Sequence, residues 1–414
     1  MVFITTRPIN PVNSGTKVVL YNYCKHIAES IGYKIYLYSF YENEEDLNIQ
    51  QPDFIEEQHY LKQPGKLEKI YNIFKYTIIK KIPIQNSLYF RRENQDFIES
   101  EINRIKPDVL MCDLCRTAEY ITNITKYNGV KILEMQDLIS KRYKRQLNYN
   151  TASDSVYGAY SDKIPLFIKS IMNLMNLNKL VLKVESGLLE RYEKNIEKKV
   201  DKIILVSKKE SNTLNEITDS NKACAVQLGV DKSFYTANSH NDKDRKCIGF
   251  IGNMTVAHNK DTVANFIKEI FPKVIELDPD IKLKIIGKCD NDYINKYSNK
   301  NIEFTGEVED IKVHAMRCEI IVAPLVYGSG IKTKVLESMA MGIPVITNDI
   351  GVEGINAINN QHLVISDLED MHIEIIDLIN NQEKIDYIAK EGKRFVVENF
   401  NWKNNLLTLD SLLP

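Results

Sequence analysis

The feature of this sequence that most constrains its fold is an alternation of short, β-rich apolar runs with longer stretches of helical period. That alternation predicts parallel sheets covered by helices. Runs at residues 2–6, 34–40, 108–112, 130–134 and 202–206 form a first series, and runs at 247–251, 282–286, 302–305, 319–323, 344–347 and 362–365 form a second. Between them lies 231–246, whose run from Asn238 to Asp244 has the polar composition of a linker. A chain of 414 residues is also too long for one ordinary core. The expected fold is therefore α/β, with one Rossmann-like domain over 1–230 and another over 246–395. Residues 396–414 carry an apolar stretch from Leu406 to Leu413; free termini are normally polar, so this tail is expected to pack back on the N-terminal domain.

Composition excludes several classes. A net charge of -2 argues against a general nucleic-acid binder, which needs a basic excess to release counterions. Seven scattered cysteines fit reduced thiols in a cytoplasmic protein better than a disulfide framework. Cys112 and Cys115 form a C-x-x-C pair, but no second pair or nearby histidine completes a metal site, so they read as buried or cleft-edge thiols. His258, His314 and His362 lack ligand spacing and read as structural; no metal is expected. The opening residues lack the marks of a signal peptide and read as a first strand. No apolar run reaches the roughly 18 residues that span a bilayer. Residues 164–184 are interrupted by Lys169, Asn173, Asn176, Lys179 and Lys183, and read as a core helix or acceptor-site lid before a membrane-lying helix.

Residues 60–92 interleave eight cations with Tyr60, Tyr71, Phe74, Tyr76, Tyr89 and Phe90. Two readings stay open. One is a basic amphipathic surface for anionic lipid headgroups or a lipid-diphosphate acceptor; the other is a solvated helical face with a buried aromatic side.

The strongest chemical signal runs from Pro324 to Pro344. A buried strand ends at Ala323, a loop of Gly328, Ser329 and Gly330 follows, and a helix is expected to begin near Ile331. Glycines let backbone N–H groups approach an anion, and a helix N-terminus adds partial positive charge, so a diphosphate suits this turn. At about 100° per residue, Ile331, Val335, Leu336 and Met339 share the apolar face while Thr333, Lys334 and Glu337 share the other. Lys334 can then meet a phosphate on the side where Glu337 meets ribose hydroxyls, with Lys332 a weaker second cation. A Lys-x-x-Glu pair alone would read as a surface ion pair, but its place behind a strand–glycine–helix turn favours the phosphate role.

Here the sequence resembles the family 4 glycosyltransferases. The resemblance rests on G-S-G-I-K-T-K-V-L-E from Gly328 to Glu337 and A-x-G-x-P-V from Ala340 to Val345. It also includes Phe250-Ile-Gly-Asn-Met254 with Asn259, Ile285-Ile-Gly287, Phe304-Thr-Gly306 and Gly351-Val-Glu-Gly354. In the first half, 8–15, 137–143 and 185–193 resemble the donor-side loop and inter-domain segments of that family. The resemblance implies a GT-B fold, a nucleotide-diphosphate sugar donor, retention of anomeric configuration, and no metal or other cofactor. It implies donor contacts from Ser14, Gly15, Gly252, Asn253, Gly328, Ser329, Gly330, Ile331, Lys332, Lys334, Glu337 and Glu353. The chain departs from the family where an earlier glutamate falls on Ser329 and an arginine on Asn253, which leaves the donor sugar open.

Asp137 and Asp113 follow expected strand ends, where a carboxylate can orient or deprotonate an acceptor hydroxyl; either can equally serve as a helix cap or structural ion pair. The expectation is transfer of a sugar to a glycan or lipid-linked acceptor at the cytoplasmic face of the cell membrane, with peripheral membrane contact and no nucleic-acid partner. A nucleotide-sugar epimerase of the same fold and an inactive partner subunit of another transferase are the alternatives.

Overall fold

The computed structural model describes residues 1–12, 15–41, 43–149, 178–236 and 244–414. Contacts divide these into two units. The first holds 1–144, 178–228 and 403–414; the second holds 145–149 and 229–402. The sequence boundary at the polar run thus moves to Gly229. The C-terminal segment joins the first unit only from Lys403, because the helix Gln382–Asn399 keeps its buried Ile385, Ile388 and Val396 in the second. Most of the run from Asn238 to Asp244, and 164–177, lie outside the described residues.

The first unit carries seven strands: β1 (Val2–Thr5), β2 (Tyr36–Phe40), β3 (Glu57–Leu61), β4 (Val109–Asp113), β5 (Val130–Gln136), β6 (Lys202–Leu205) and β7 (Ala223–Ala225). All pair in parallel in the order β3-β2-β1-β4-β5-β6-β7. Every residue of β1 and β4 is buried, as expected where helices cover both faces of a parallel sheet. The edge strands β3 and β7 are the two that sequence reading missed: Glu-Gln-His-Tyr-Leu is polar, and Ala-Cys-Ala is short. In the terminal segment, His26 Nε2 lies 2.8 Å from Asp410, Tyr33 Oη donates to the Pro414 carbonyl at 2.6 Å, and Asn405 donates to Leu228 at 3.0 Å.

The second unit carries β8 (Cys247–Ile251), β9 (Lys282–Ile286), β10 (Ile302–Phe304), β11 (Ile320–Ala323), β12 (Val345–Thr347) and β13 (Val364–Ile365). They also pair in parallel, in the order β10-β9-β8-β11-β12-β13. Ile248, Phe250, Leu283, Val322 and Ile346 are among the buried side chains of its core. Strand order reverses between β8 and β11, and ligands of such sheets bind beyond the strand C-termini at that switch point.

Close backbone approach shapes this edge. Gly287, at φ 127°, ends β9, and a Cβ there would overlap the Gly252 carbonyl oxygen. Gly306 also has a left-handed φ of 70°, but a Cβ there would meet open space. Gly306→Ala is expected to cost about 1 kcal/mol for the conformation alone. Gly287→Ala adds the overlap and should cost about 2–4 kcal/mol. Urea denaturation checks this; equal losses at the two positions would contradict it.

Candidate active site

The glycine-rich turn follows β11, and its helix is Thr333–Ala340. It starts two residues later than the sequence suggests. Gly330 takes a left-handed φ of 64°, Lys332 at the N-cap is extended, and Ile331 is a buried loop residue rather than a helical one. The N-cap residue Lys332 makes no side-chain cap hydrogen bond, and the helix dipole puts partial positive charge at this end. Val335, Leu336 and Met339 are buried, while Thr333, Lys334 and Glu337 keep part of their surface in solvent, as the helical period predicts.

Lys334 is the centre of the arrangement. Its Nζ donates to Asn259 Oδ1 at 2.6 Å and stands 4.3 Å from the centroid of the Phe250 ring, in the fully buried strand β8. Asn259 in turn donates to the Asn253 carbonyl at 2.9 Å. Gly252 makes the space: a Cβ there would come 3.0 Å from the lysine nitrogen. Residues from both sides of the strand switch thus meet at one ammonium. Burial pushes Lys334 down to about 7, against the pull of Glu337 and with the push of Lys332. Burial likewise pushes Glu337 up to about 7, against Lys334 and Lys312. The two groups hold poorly hydrated charge, which an anion at the first and a hydroxyl at the second would relieve.

The other expected donor-side residues divide. Lys332 turns back on its own loop, its Nζ donating to the Ser329 and Gly330 carbonyls at 2.6 and 2.7 Å. Gly328 leaves room for that lysine, since a Cβ there would lie 3.0 Å from Lys332 Cε. The Asn253 side chain accepts from Thr255 N and Oγ1 at 2.9 and 2.7 Å and shapes the turn after β8. Glu353 binds Arg145, which groups with the second unit: Nη1–Oε2 is 2.6 Å and Nη2–Oε1 is 3.2 Å. Arg145 Nη1 also donates to the Gly328 carbonyl at 2.7 Å. This guanidinium beside the glycine loop was missed; its partner lies 208 positions away, and no local pattern marks it.

In the first unit, Ser14 lies outside the described residues, and Gly15 opens the helix Gly15–His26 on the surface. Asp113 is fully buried, and its Oδ2 accepts from Thr6 N and Oγ1 at 3.1 and 2.6 Å, tying β4 to β1 where strand order reverses. That is a structural task. Asp137 follows Gln136, whose φ is 62°, and lies 3.7 Å from Arg142. Cys112 and Cys115 are buried, and burial pushes both thiols far up, as suits inert thiols. Among the described residues, Glu57, His59 and Glu101 bring ligand atoms within 4.8 Å of one another, but Arg104 already binds both carboxylates, at 2.7 and 2.6 Å.

Two parallel α/β units of this kind, with seven and six strands, have the GT-B fold. The Anabaena protein HepE, solved in complex with UDP, superposes with a TM-score of 0.65 over 99% of this chain and 98% of its own, at 10% identity. Residues 245–381 match the family model for Glycosyl transferases group 1. An uncharacterized glycosyltransferase of Methanocaldococcus jannaschii is 27% identical over 70% of this chain and 78% of its own. A protein of the Klebsiella pneumoniae cps region is 28% identical over 37% of this chain, and the match spans 42% of that relative.

The lysine carries a testable signature. Its folded value is depressed, so the folded state binds fewer protons than the unfolded state between about pH 7 and 10.5, and its destabilising effect is greatest below that window. Lys334→Met should therefore melt no lower than the parent protein below pH 7. The same change should abolish the fall in nucleoside-diphosphate affinity, about tenfold per pH unit, that is expected of the parent above pH 7. Calorimetric titrations across that range decide it; parallel profiles for the two proteins would contradict the assignment.

Proposed function

We propose that this protein is a retaining glycosyltransferase that moves a sugar from a nucleoside-diphosphate donor to an acceptor hydroxyl. The observation that carries the reading is the poorly hydrated Lys334 ammonium beside a helix N-terminus at the strand switch of the second unit. In the reaction the bond from the anomeric carbon to the diphosphate oxygen breaks and a bond from the acceptor oxygen forms. Lys334 and the first-turn amides take up the charge that develops on the leaving diphosphate, the task a divalent ion performs elsewhere. Glu337 accepts from the ribose hydroxyls, and Gly252, Gly328, Ser329, Gly330 and Ile331 let the backbone approach the donor. Arg145 holds Glu353 and the glycine loop in place.

The first unit is proposed to bind the acceptor, with Asp137 orienting its hydroxyl or taking its proton, and Ser14 and Gly15 reaching the donor phosphates. The donor is proposed to be a uridine or related nucleotide sugar, which the UDP complex of the HepE neighbour supports. The acceptor is proposed to be a growing cell-surface glycan carried on a lipid at the cytoplasmic membrane face.

Nucleoside diphosphates, starting with UDP, should raise the melting temperature, and the gain should survive EDTA because the phosphate contacts come from the protein. Lys334→Ala should lower turnover by about 100-fold or more. NMR of a bound donor sugar should show transfer only when an acceptor is added. Conversion of the donor without acceptor would replace this reading with the epimerase one, and loss of nucleotide binding in EDTA would overturn the metal-independent mechanism.

A further inference from the structure

The chain from Lys66 to Ile79 forms a helix whose exposed side carries large apolar residues. An α-helical stretch, Lys66–Asn72, runs into a wider π-helical stretch, Ile73–Ile79. Its two buried side chains are polar, beside half-buried Ile70, Ile73 and Tyr76. Asn72 is buried and donates to the Ser87 and Phe90 carbonyls at 3.1 and 2.6 Å, and buried Thr77 shares a hydrogen bond with Ser87 Oγ at 2.8 Å. Its outward side is apolar: Leu67 is 83% exposed, Tyr71 56%, Phe74 59%, Ile78 54% and Ile79 62%. The spacing of Leu67, Tyr71, Phe74 and Ile78 places them along one face. Such an apolar stripe on a helix fixed from behind by polar bonds calls for a partner outside the first unit.

The charges say which partner. Lys66, Lys69, Lys75, Lys80 and Lys81 border the stripe, against the single acid Glu68, which lies 3.6 Å from Arg91. Lys75 stands over the Tyr71 and Tyr76 rings at 5.2 and 5.4 Å, and Lys80 over Tyr76 at 5.2 Å. Long cationic stems laid along apolar rings, with ammonium groups at the rim, suit the boundary between acyl chains and phosphate headgroups. A second copy of the same face would bring ten lysines together, whereas an anionic bilayer attracts each of them. Among the described residues no helix is long and apolar enough to cross a membrane, so the contact would lie in the surface plane. We propose that residues 66–81 dock this protein on an anionic phospholipid surface, with Leu67, Tyr71, Phe74, Ile78 and Ile79 entering the headgroup–acyl boundary.

Flotation with vesicles tests this directly. The full chain should float with phosphatidylglycerol–phosphatidylcholine vesicles and not with phosphatidylcholine alone. Phe74→Ser with Ile78→Ser should lower the bound fraction at least about tenfold. Lys80→Glu with Lys81→Glu should lower it comparably, and raising salt from about 0.1 M to 1 M, which shortens the screening length from about 10 to 3 Å, should release bound protein. Both double variants should keep the parent affinity for UDP, showing that they are folded. The proposal is overturned if the parent ignores phosphatidylglycerol, if the serine variant floats as well as the parent, or if sedimentation shows a parent dimer that the serine changes split. Vesicle binding needs no nucleotide, so its failure leaves the donor-site reading standing, and a failed donor site leaves the docking surface standing.

Discussion

The second unit is organised around keeping one ammonium where water can only partly reach it. Lys334 rises from the helix after β11, rests over the Phe250 ring of β8, and is tethered by Asn259 in the space that Gly252 leaves. Desolvation disfavours its charge, and among the described residues the pull of Glu337 does not offset that cost. A desolvated ammonium of this kind costs stability.

Topology supplies the location. Six parallel strands whose order reverses between β8 and β11 bring the loops after both to one point on the sheet edge. Glycines are placed where that convergence is tightest: Gly287 against the Gly252 carbonyl, and Gly252 against the lysine. Lys332 and Arg145 brace the glycine loop through its carbonyls, which leaves Lys334 as the cation not drawn into that bracing. The Asn253 side chain closes a turn on Thr255.

Much of this was legible in the sequence because buried parallel strands read as apolar runs. All eleven expected runs contain strands; β3 and β7 escaped because edge strands tolerate polar and very short sequences. The helical period gave the correct faces for Lys334 and Glu337, but the helix start was two residues early, because the left-handed Gly330 and extended Lys332 postpone it. In residues 60–92 composition showed lysines among aromatics without showing which side faced inward. The structure buries Tyr89 and Phe90, as a buried aromatic side requires, yet turns Tyr71 and Phe74 outward, because Asn72 and Thr77 find buried hydrogen-bond partners. Pairs distant in sequence, such as Arg145 with Glu353 and Thr6 with Asp113, leave no local trace.

The account stands on the ionisation of a single side chain, which NMR of a lysine-labelled protein can follow at the Lys334 ε position with and without UDP. The free protein should show a midpoint near pH 7, and saturation with UDP should carry it back up toward the ordinary lysine value of 10.5. A midpoint already at the ordinary value in the free protein, unmoved by the nucleotide, would show that this ammonium neither lacks water nor meets the diphosphate.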